Sequence, residues 1–337
     1  MAGPVLSGTM RHRWLNLMLL FNSTIRVSLR RIMRGPLLPG WNWSIDVSTD
    51  FLRSQGETVF KFEDINEGRE FYNALSFPSK AVQDVTIEPV KAPVRGHWYR
   101  PKAPIPNSLM LYLHGGGYSY YVRAHHNLIA ILTQIAGRDT FALDYRLIPE
   151  YPYPAQLKDA LQAYSWLIDL GYLPNNMLVA GDSAGGNLAL ALLLTLRERG
   201  LPQPALCVCL SPWTDVCNSG ASMENNARYD WPIKHIAEQW SDWYCGDADP
   251  RDPLISPLYA DLHGLTPIYI QAGGAEILYD MIQAFADNAQ EQGADVTLEV
   301  WENMNHDFQA YGEALPQAQQ ALERLRQVIS NHIDSNV

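Results

Sequence analysis

Asn176-Met177-Leu178-Val179-Ala180-Gly181-Asp182-Ser183-Ala184-Gly185-Gly186-Asn187 is the stretch on which the fold turns. Asn176 to Ala180 is a short apolar run suited to a buried strand, and Asn187 to Arg199 is rich in Ala and Leu with charges only at its end. Between them Gly181-Asp182-Ser183-Ala184-Gly185 fits G-x-S-x-G, a nucleophile elbow in which a strand turns sharply into a helix and lifts the serine hydroxyl above the sheet. The glycines have a steric reason. Ser183 must adopt a strained backbone, and side chains at 181 and 185 would collide with the strand or helix that the turn joins.

A second glycine-rich signature lies upstream. Ser108 to Leu113 alternates about Leu109, Leu111 and Leu113 as a strand does, and it delivers His114-Gly115-Gly116-Gly117 at its carboxyl end. Glycines leave amide N–H groups bare. Several aimed at one spot, with the N–H of Ala184, stabilise the oxyanion that forms when an ester carbonyl becomes tetrahedral. A merely flexible turn would account for neither His114 nor the second signature.

A serine hydroxyl is a weak nucleophile at neutral pH and needs a base, itself oriented by a carboxylate. Of nine histidines, His306 follows the strand-like run Val296 to Trp301 through the short polar loop Glu302-Asn303-Met304-Asn305. Behind an elbow of this kind the chain order is serine, acid, histidine, which places the acid between Ser183 and His306 at the end of a strand. Thr266 to Gln271 is that strand, and it empties into Ala272-Gly273-Gly274-Ala275-Glu276-Ile277-Leu278-Tyr279-Asp280. Two carboxylates compete. Glu276 stands nearer the strand end and is the expected orienting acid; Asp280, the alternative, falls where a helix to about Gln292 begins, a position acidic residues favour through the helix dipole.

Apolar strands alternate with helical stretches such as Arg123 to Ala136 and Ala155 to Leu170, which predicts an α/β fold with a mostly parallel central sheet and helices on both faces. The 337 residues are 47% hydrophobic and 18% charged, enough for one large core plus an excursion. Ligands bind at the carboxyl ends of such strands, where the glycine run, the elbow, Glu276 and His306 all fall.

With Asp144-Tyr145-Arg146-Leu147, Pro149-Glu150, Pro154, Ser211-Pro212-Trp213, Asp215 and Ser256-Pro257-Leu258, the two glycine signatures resemble the hormone-sensitive-lipase-like branch of the α/β-hydrolases, the family IV carboxylesterases, over about residues 80 to 330. The resemblance implies an α/β-hydrolase fold with a helical cap, Ser183 as nucleophile, His306 as general base, and Gly115, Gly116 and Ala184 as oxyanion donors. It implies a serine carboxylesterase acting through an acyl-enzyme on small apolar esters of short to medium acyl length, without cofactor or metal. Homodimers are common in that family, so the resemblance leaves a homodimer open, and the sequence does not decide it. The family shows Asp-Pro-Leu-x-Asp where this chain reads Glu276-Ile277-Leu278-Tyr279-Asp280. Amide or lactone hydrolysis by the same residues is an alternative, as is a non-catalytic receptor on the same scaffold, although such receptors lack the histidine. An apparent pKa of about 6 to 7 is expected for the base.

The amino-terminal segment differs in character. Residues 1 to 45 hold six arginines and no acidic side chain, against a formal charge of -11 for the whole chain. Trp14, Leu15, Met18, Leu19, Ile25, Leu29 and Ile32 recur at helical spacing. The expected division is a helical cap segment over 1–50 and a catalytic domain over 51–337, with a second cap piece around 217–253. A peripheral membrane or apolar contact through the first segment is the sharper reading. The run Leu15 to Phe21 is too short to span a bilayer and lacks a convincing cleavage site. Tyr118, Tyr120 and Asp182 are candidates for lining the substrate pocket, beneath an aromatic wall of Trp41, Trp43, Tyr229, Trp231, Trp240, Trp243 and Tyr244. The four cysteines form neither a zinc pattern nor a disulfide framework, which fits a reducing, cytoplasmic setting, and no basic patch interleaved with aromatics speaks for nucleic acid.

Overall fold

A computed structural model describes residues 3–333; residues 1–2 and 334–337, at the ends of the two expected segments, lie outside the described residues. The chain opens with β1 (Val5–Leu6), α1 (Met10–Arg34), α2 (Trp43–Val59), α3 (Ile65–Tyr72), β2 (Leu75–Ser76) and the single turn α4 (Lys80–Gln83). The hairpin β3 (Val85–Val90) and β4 (Gly96–Pro101) follows. Strand and helix then alternate through β5 (Leu109–Leu113), α5 (Arg123–Ala136), β6 (Asp139–Leu143), α6 (Ala155–Asp169), β7 (Met177–Asp182), α7 (Ala184–Glu198) and β8 (Leu206–Leu210). The short α8 (Ser222–Asn225) and α9 (Lys234–Cys245) interrupt that rhythm before β9 (Ile268–Gly273), α10 (Tyr279–Glu291), β10 (Val296–Trp301) and α11 (Pro316–Ile333).

The eight-stranded sheet runs β10-β9-β8-β7-β5-β6-β4-β3. Strands β5 to β10 pair in parallel, and β4 is antiparallel to both its neighbours. After β5 the chain adds β6 on one side and β7 on the other, so strand order reverses there and opens a crevice at the carboxyl ends. Register completes the placement. Leu113 pairs with Gly181, which sets the glycine run beside the elbow, and Trp301 pairs with Gly273, which sets the loops carrying His306 and Glu276 side by side.

Strands β5, β7 and β8 are buried along their whole length because both faces are covered. Leu109, Leu111 and Leu113 pack on one side with Val179, Cys207, Cys209 and the leucines of α7; Met110 and Tyr112 pack on the other with Leu178, Val208 and residues of α5 and α11. Every residue of α7 from Ala184 to Leu196 is buried. That sequestered helix anchors the elbow, since each fully buried leucine contributes about 1.5–3 kcal/mol.

Helix α1 carries its apolar stripe outward. Trp14, Met18, Leu29 and Ile32 are exposed, whereas His12, Asn16, Ser23 and Val27 are buried. The inner face is held by polar pairing: Asn16 donates to the Phe71 carbonyl at 2.9 Å, Gln55 donates to Asn16 at 2.7 Å, and Arg30 and Arg31 both pair with the buried Asp46. Satisfied buried polar groups outrank simple hydrophobic spacing here. No described helix is long and apolar enough to cross a membrane.

Candidate active site

The elbow has the strain its glycines require. Ser183 adopts φ 54° and ψ -121° at the junction of β7 and α7. A Cβ at Gly181 would lie 2.3 Å from the Gly185 carbonyl oxygen, and one at Gly185 would lie 2.0 Å from that of Leu113. No side chain fits either place. The turn is clamped from the neighbouring strand, where Ser183 donates its N–H to the Leu210 carbonyl at 2.8 Å and Trp213 donates to the Ser183 carbonyl at 3.0 Å.

Beside it, the glycine run corrects one expectation. Gly115 donates its N–H to Asp182 Oδ1 at 3.0 Å, so it has no N–H left for an oxyanion. Among the described residues no hydrogen bond occupies the N–H of Gly116 or Gly117, and the N–H of Ala184 opens α7 without an intrahelical partner. Gly117, absent from the expected donors, offers an open N–H where Gly115 does not. Gly116 and Gly117 sit at φ 93° and 58°; a Cβ would meet the Tyr120 carbonyl oxygen at 2.2 Å in the first and the Trp240 ring at 2.2 Å in the second. The loop is braced below by His114, whose ring is sandwiched between those of Tyr121 and Tyr145 at 4.1 Å each. Alanine at 116 is therefore expected to displace the loop and lower kcat on the order of 10²–10³-fold, as loss of one oxyanion donor does, with steady-state kinetics as the check.

The pocket candidates separate. Asp182 borders the cavity, but its carboxylate accepts from Gly115 and Tyr112, which makes it a brace for the glycine loop. Tyr118 is fully buried, stacked on Tyr244 at 4.1 Å and donating to Asn187 at 2.6 Å, so it does not line the mouth. Tyr120 does line the cavity.

Glu276 and His306 meet at the ends of β9 and β10. Glu276 Oε2 lies 2.8 Å from His306 Nδ1, with the carboxylate fully buried and the imidazole 1% exposed. The extra methylene of glutamate is accommodated because Oε1 accepts the Gly273 N–H at 2.8 Å, folding the side chain back on its own strand end. Asp280 faces elsewhere: it opens α10, accepts the Ser222 N–H at 2.8 Å and donates its own N–H to Ser222 Oγ at 3.0 Å. At the other ring nitrogen, Nε2 lies 3.2 Å from Asp307 Oδ2, and no hydrogen bond joins Ser183 Oγ to the imidazole among the described residues.

Residues 110–310 match the family model described as the alpha/beta hydrolase fold. The chain belongs to this family. It is 40% identical over 232 residues to an acetyl-hydrolase of Streptomyces hygroscopicus, covering 67% of this chain and 76% of that protein. It is 32% identical over 244 residues to an esterase of Acinetobacter venetianus, covering 71% and 80%. The crystal structure of an esterase from the bacterial hormone-sensitive lipase family superposes with a TM-score of 0.77 at 35% identity, covering 85% of this chain and 98% of that one. These likenesses set the α/β-hydrolase in its hormone-sensitive-lipase-like branch.

Above the base of this α/β-hydrolase site lies a cavity of about 1160 Å³. Gly116, Tyr120, Asp182, His306 and Asp307 form part of its wall, and Leu20 and Thr24 of α1, Phe51 and Val59 of α2, and Trp231 and Trp240 of the 217–253 piece supply more. The expected aromatic wall is only partly there. Trp43, Trp231 and Trp240 line the cavity, whereas Trp41 packs on Met304 and Phe308, Trp243 stacks on Phe60 and Tyr244 on Tyr118. Among the described residues no group of His, Cys, Asp or Glu has an arrangement that could hold a metal ion.

Proposed function

We propose that this α/β-hydrolase is a serine carboxylesterase that works through an acyl-enzyme, with Ser183 as nucleophile, His306 as base and Glu276 as orienting acid. The observation that carries this reading is the wholly buried Glu276–His306 pair at 2.8 Å, placed at the strand ends beside the strained elbow. His306 takes the Ser183 proton as the hydroxyl attacks the acyl carbon, for which Nε2 exchanges Asp307 for the serine. The amides of Gly116, Gly117 and Ala184 hold the oxyanion while Glu276 steadies the imidazolium. The alcohol leaves with the proton from His306. Water, activated by the same imidazole, then releases the acid.

The substrates proposed are small apolar esters. The apolar cavity supports this class, and the likeness to an acetyl-hydrolase favours short acyl groups. A panel of p-nitrophenyl esters from acetate to decanoate tests the reading; turnover highest on the short chains is expected, and none on any member of the panel overturns it. We infer that α1, α2 and the 217–253 piece act together as the cap over this cavity.

The pH dependence follows from the groups around the imidazole. Burial on its own weakens proton binding at His306, but the carboxylates of Asp307, Glu276 and Asp230 outweigh it and raise the pKa to about 10. Burial also pushes Asp307 well above the ordinary carboxylate range, while the imidazole 3.2 Å away pulls it down. The base acts when neutral. A raised pKa moves the neutral form to higher pH, so kcat/KM is expected to climb through an acid limb above pH 7 rather than at the 6 to 7 expected from an ordinary histidine. The charge of Asp307 is the largest single raising cause, ahead of the hydrogen bond and the charge of Glu276 taken separately. Asp307→Asn should therefore shift the limb downward in a pH–rate profile, and an unmoved limb would count against this account.

A further inference from the structure

We propose that Asp230 is a positioning residue for the base, fixing the separation of the acid and histidine loops through their main chains; this rests on the reading of His306 and Glu276 given above. Its carboxylate is buried in the 217–253 piece, far in sequence from both loops. Oδ1 accepts the His306 N–H at 2.9 Å and Oδ2 accepts the Ile277 N–H at 2.7 Å, one bond to each loop. A third N–H, that of Trp231, reaches Oδ1 at 2.9 Å. Two neighbours repeat the pattern. Trp231 Nε1 donates to the His306 carbonyl at 2.9 Å, with its ring edge-on to the imidazole at 5.2 Å, and Asn226 Nδ2 donates to the Glu276 carbonyl at 2.9 Å. The segment Asn226–Trp231 is thus a cross-brace that grips both loops.

The brace is held in turn by α2. Arg53 donates to the carbonyls of Ala227 and Asp230, the second at 2.6 Å. A path of direct hydrogen bonds therefore runs from the amino-terminal helices through Arg53 and Asp230 to His306. None of these groups touches a reacting atom. A buried carboxylate is costly unless several donors satisfy it, and the three N–H groups at Asp230 do so. Burial drives its pKa upward, to about 7, while the imidazole and the backbone N–H groups restrain the rise. The imidazole must sit within a fraction of an ångström of productive geometry, since a misplacement of about 1 Å can cost on the order of 10²-fold.

The test compares the full chain with Asp230→Asn and Arg53→Ala on a short p-nitrophenyl ester, with active sites counted by stoichiometric labelling with a fluorophosphonate. Asparagine keeps the shape but sets an NH₂ group against an N–H donor. The expected result for Asp230→Asn is a fall of about 10²-fold in kcat per labelled site at unchanged KM, with loss or broadening of the downfield His306 Nδ1 proton signal in NMR. Arg53→Ala should give a smaller fall of the same kind, and it serves if Asp230→Asn does not fold. A purely structural role would lower the melting temperature and the labelled fraction but leave kcat per labelled site and the proton signal unchanged, which overturns the proposal. Ser183→Ala and His306→Ala are run alongside. If they abolish turnover while Asp230→Asn and Arg53→Ala keep wild-type kcat, only the brace fails; if they retain turnover, the functional reading itself fails.

Discussion

Ser183→Ala is expected to lower ester turnover on the order of 10⁶-fold, the scale on which removing the nucleophile of a serine triad acts. The substitution tests more than a hydroxyl. Ser183 sits at φ 54° between two glycines with no room for a Cβ, clamped from β8 by the Leu210 carbonyl. Alanine keeps that backbone, since it adds no bulk, so the fold should melt as the parent does. The loss would then belong to chemistry alone. Calorimetry with steady-state kinetics and labelling by a fluorophosphonate decides: a variant that still turns over the ester, or still takes the label stoichiometrically at another residue, refutes the assignment of the nucleophile.

The second large effect separates two carboxylates four residues apart. Glu276→Gln is expected to reduce kcat on the order of 10⁴-fold, as loss of the orienting carboxylate does in an otherwise intact triad. The amide is isosteric, but a NH₂ group at Nδ1 favours the wrong tautomer and cannot stabilise the imidazolium. Asp280→Asn should leave turnover close to that of the parent. The Asp280 carboxylate accepts the Ser222 N–H beside the start of α10, and weakening that bond affects stability by about 1–2 kcal/mol. The reverse pattern, a silent Glu276→Gln and a crippled Asp280→Asn, would falsify the acid assignment made here.

The strands and the site were legible to different depths. Signals along the chain were strong wherever one short stretch carries the whole physical demand. The elbow is such a case, because its turn needs glycine at both flanks and a strand and helix on either side. Glu276 lies nearer the end of β9 than Asp280, which is what the sequence offers to separate them, and it is the carboxylate that reaches Nδ1. In the glycine loop, the expectation for Gly115 meets an N–H that is already engaged. Its bare amides look alike in sequence, and what distinguishes Gly115 is a hydrogen bond to Asp182, which lies 67 positions away.

Asp230 and Asp307 gave no signal of their own. An aspartate in a loop reads as solvated until packing excludes water from it, and the number of donors it meets depends on several segments converging. The direction of the α1 stripe has a related reason: helical spacing gives a period and leaves open which face packs. Asn16, Gln55 and Asp46 settle that through polar pairing across α1 and α2.

The amino-acid sequence by itself therefore determined the α/β alternation, the elbow, the glycine run, and the placing of Ser183, Glu276 and His306 at successive strand ends, since each rests on local sterics or on periodicity along a strand or helix. Only the tertiary structure decided which amides stay free, which nitrogen of His306 faces which carboxylate, and how α2 and the Asn226–Trp231 segment grip the loops carrying Glu276 and His306. Those are matters of burial and of donors meeting acceptors across long stretches of chain, and they come into being only when the sheet brings its strand ends together.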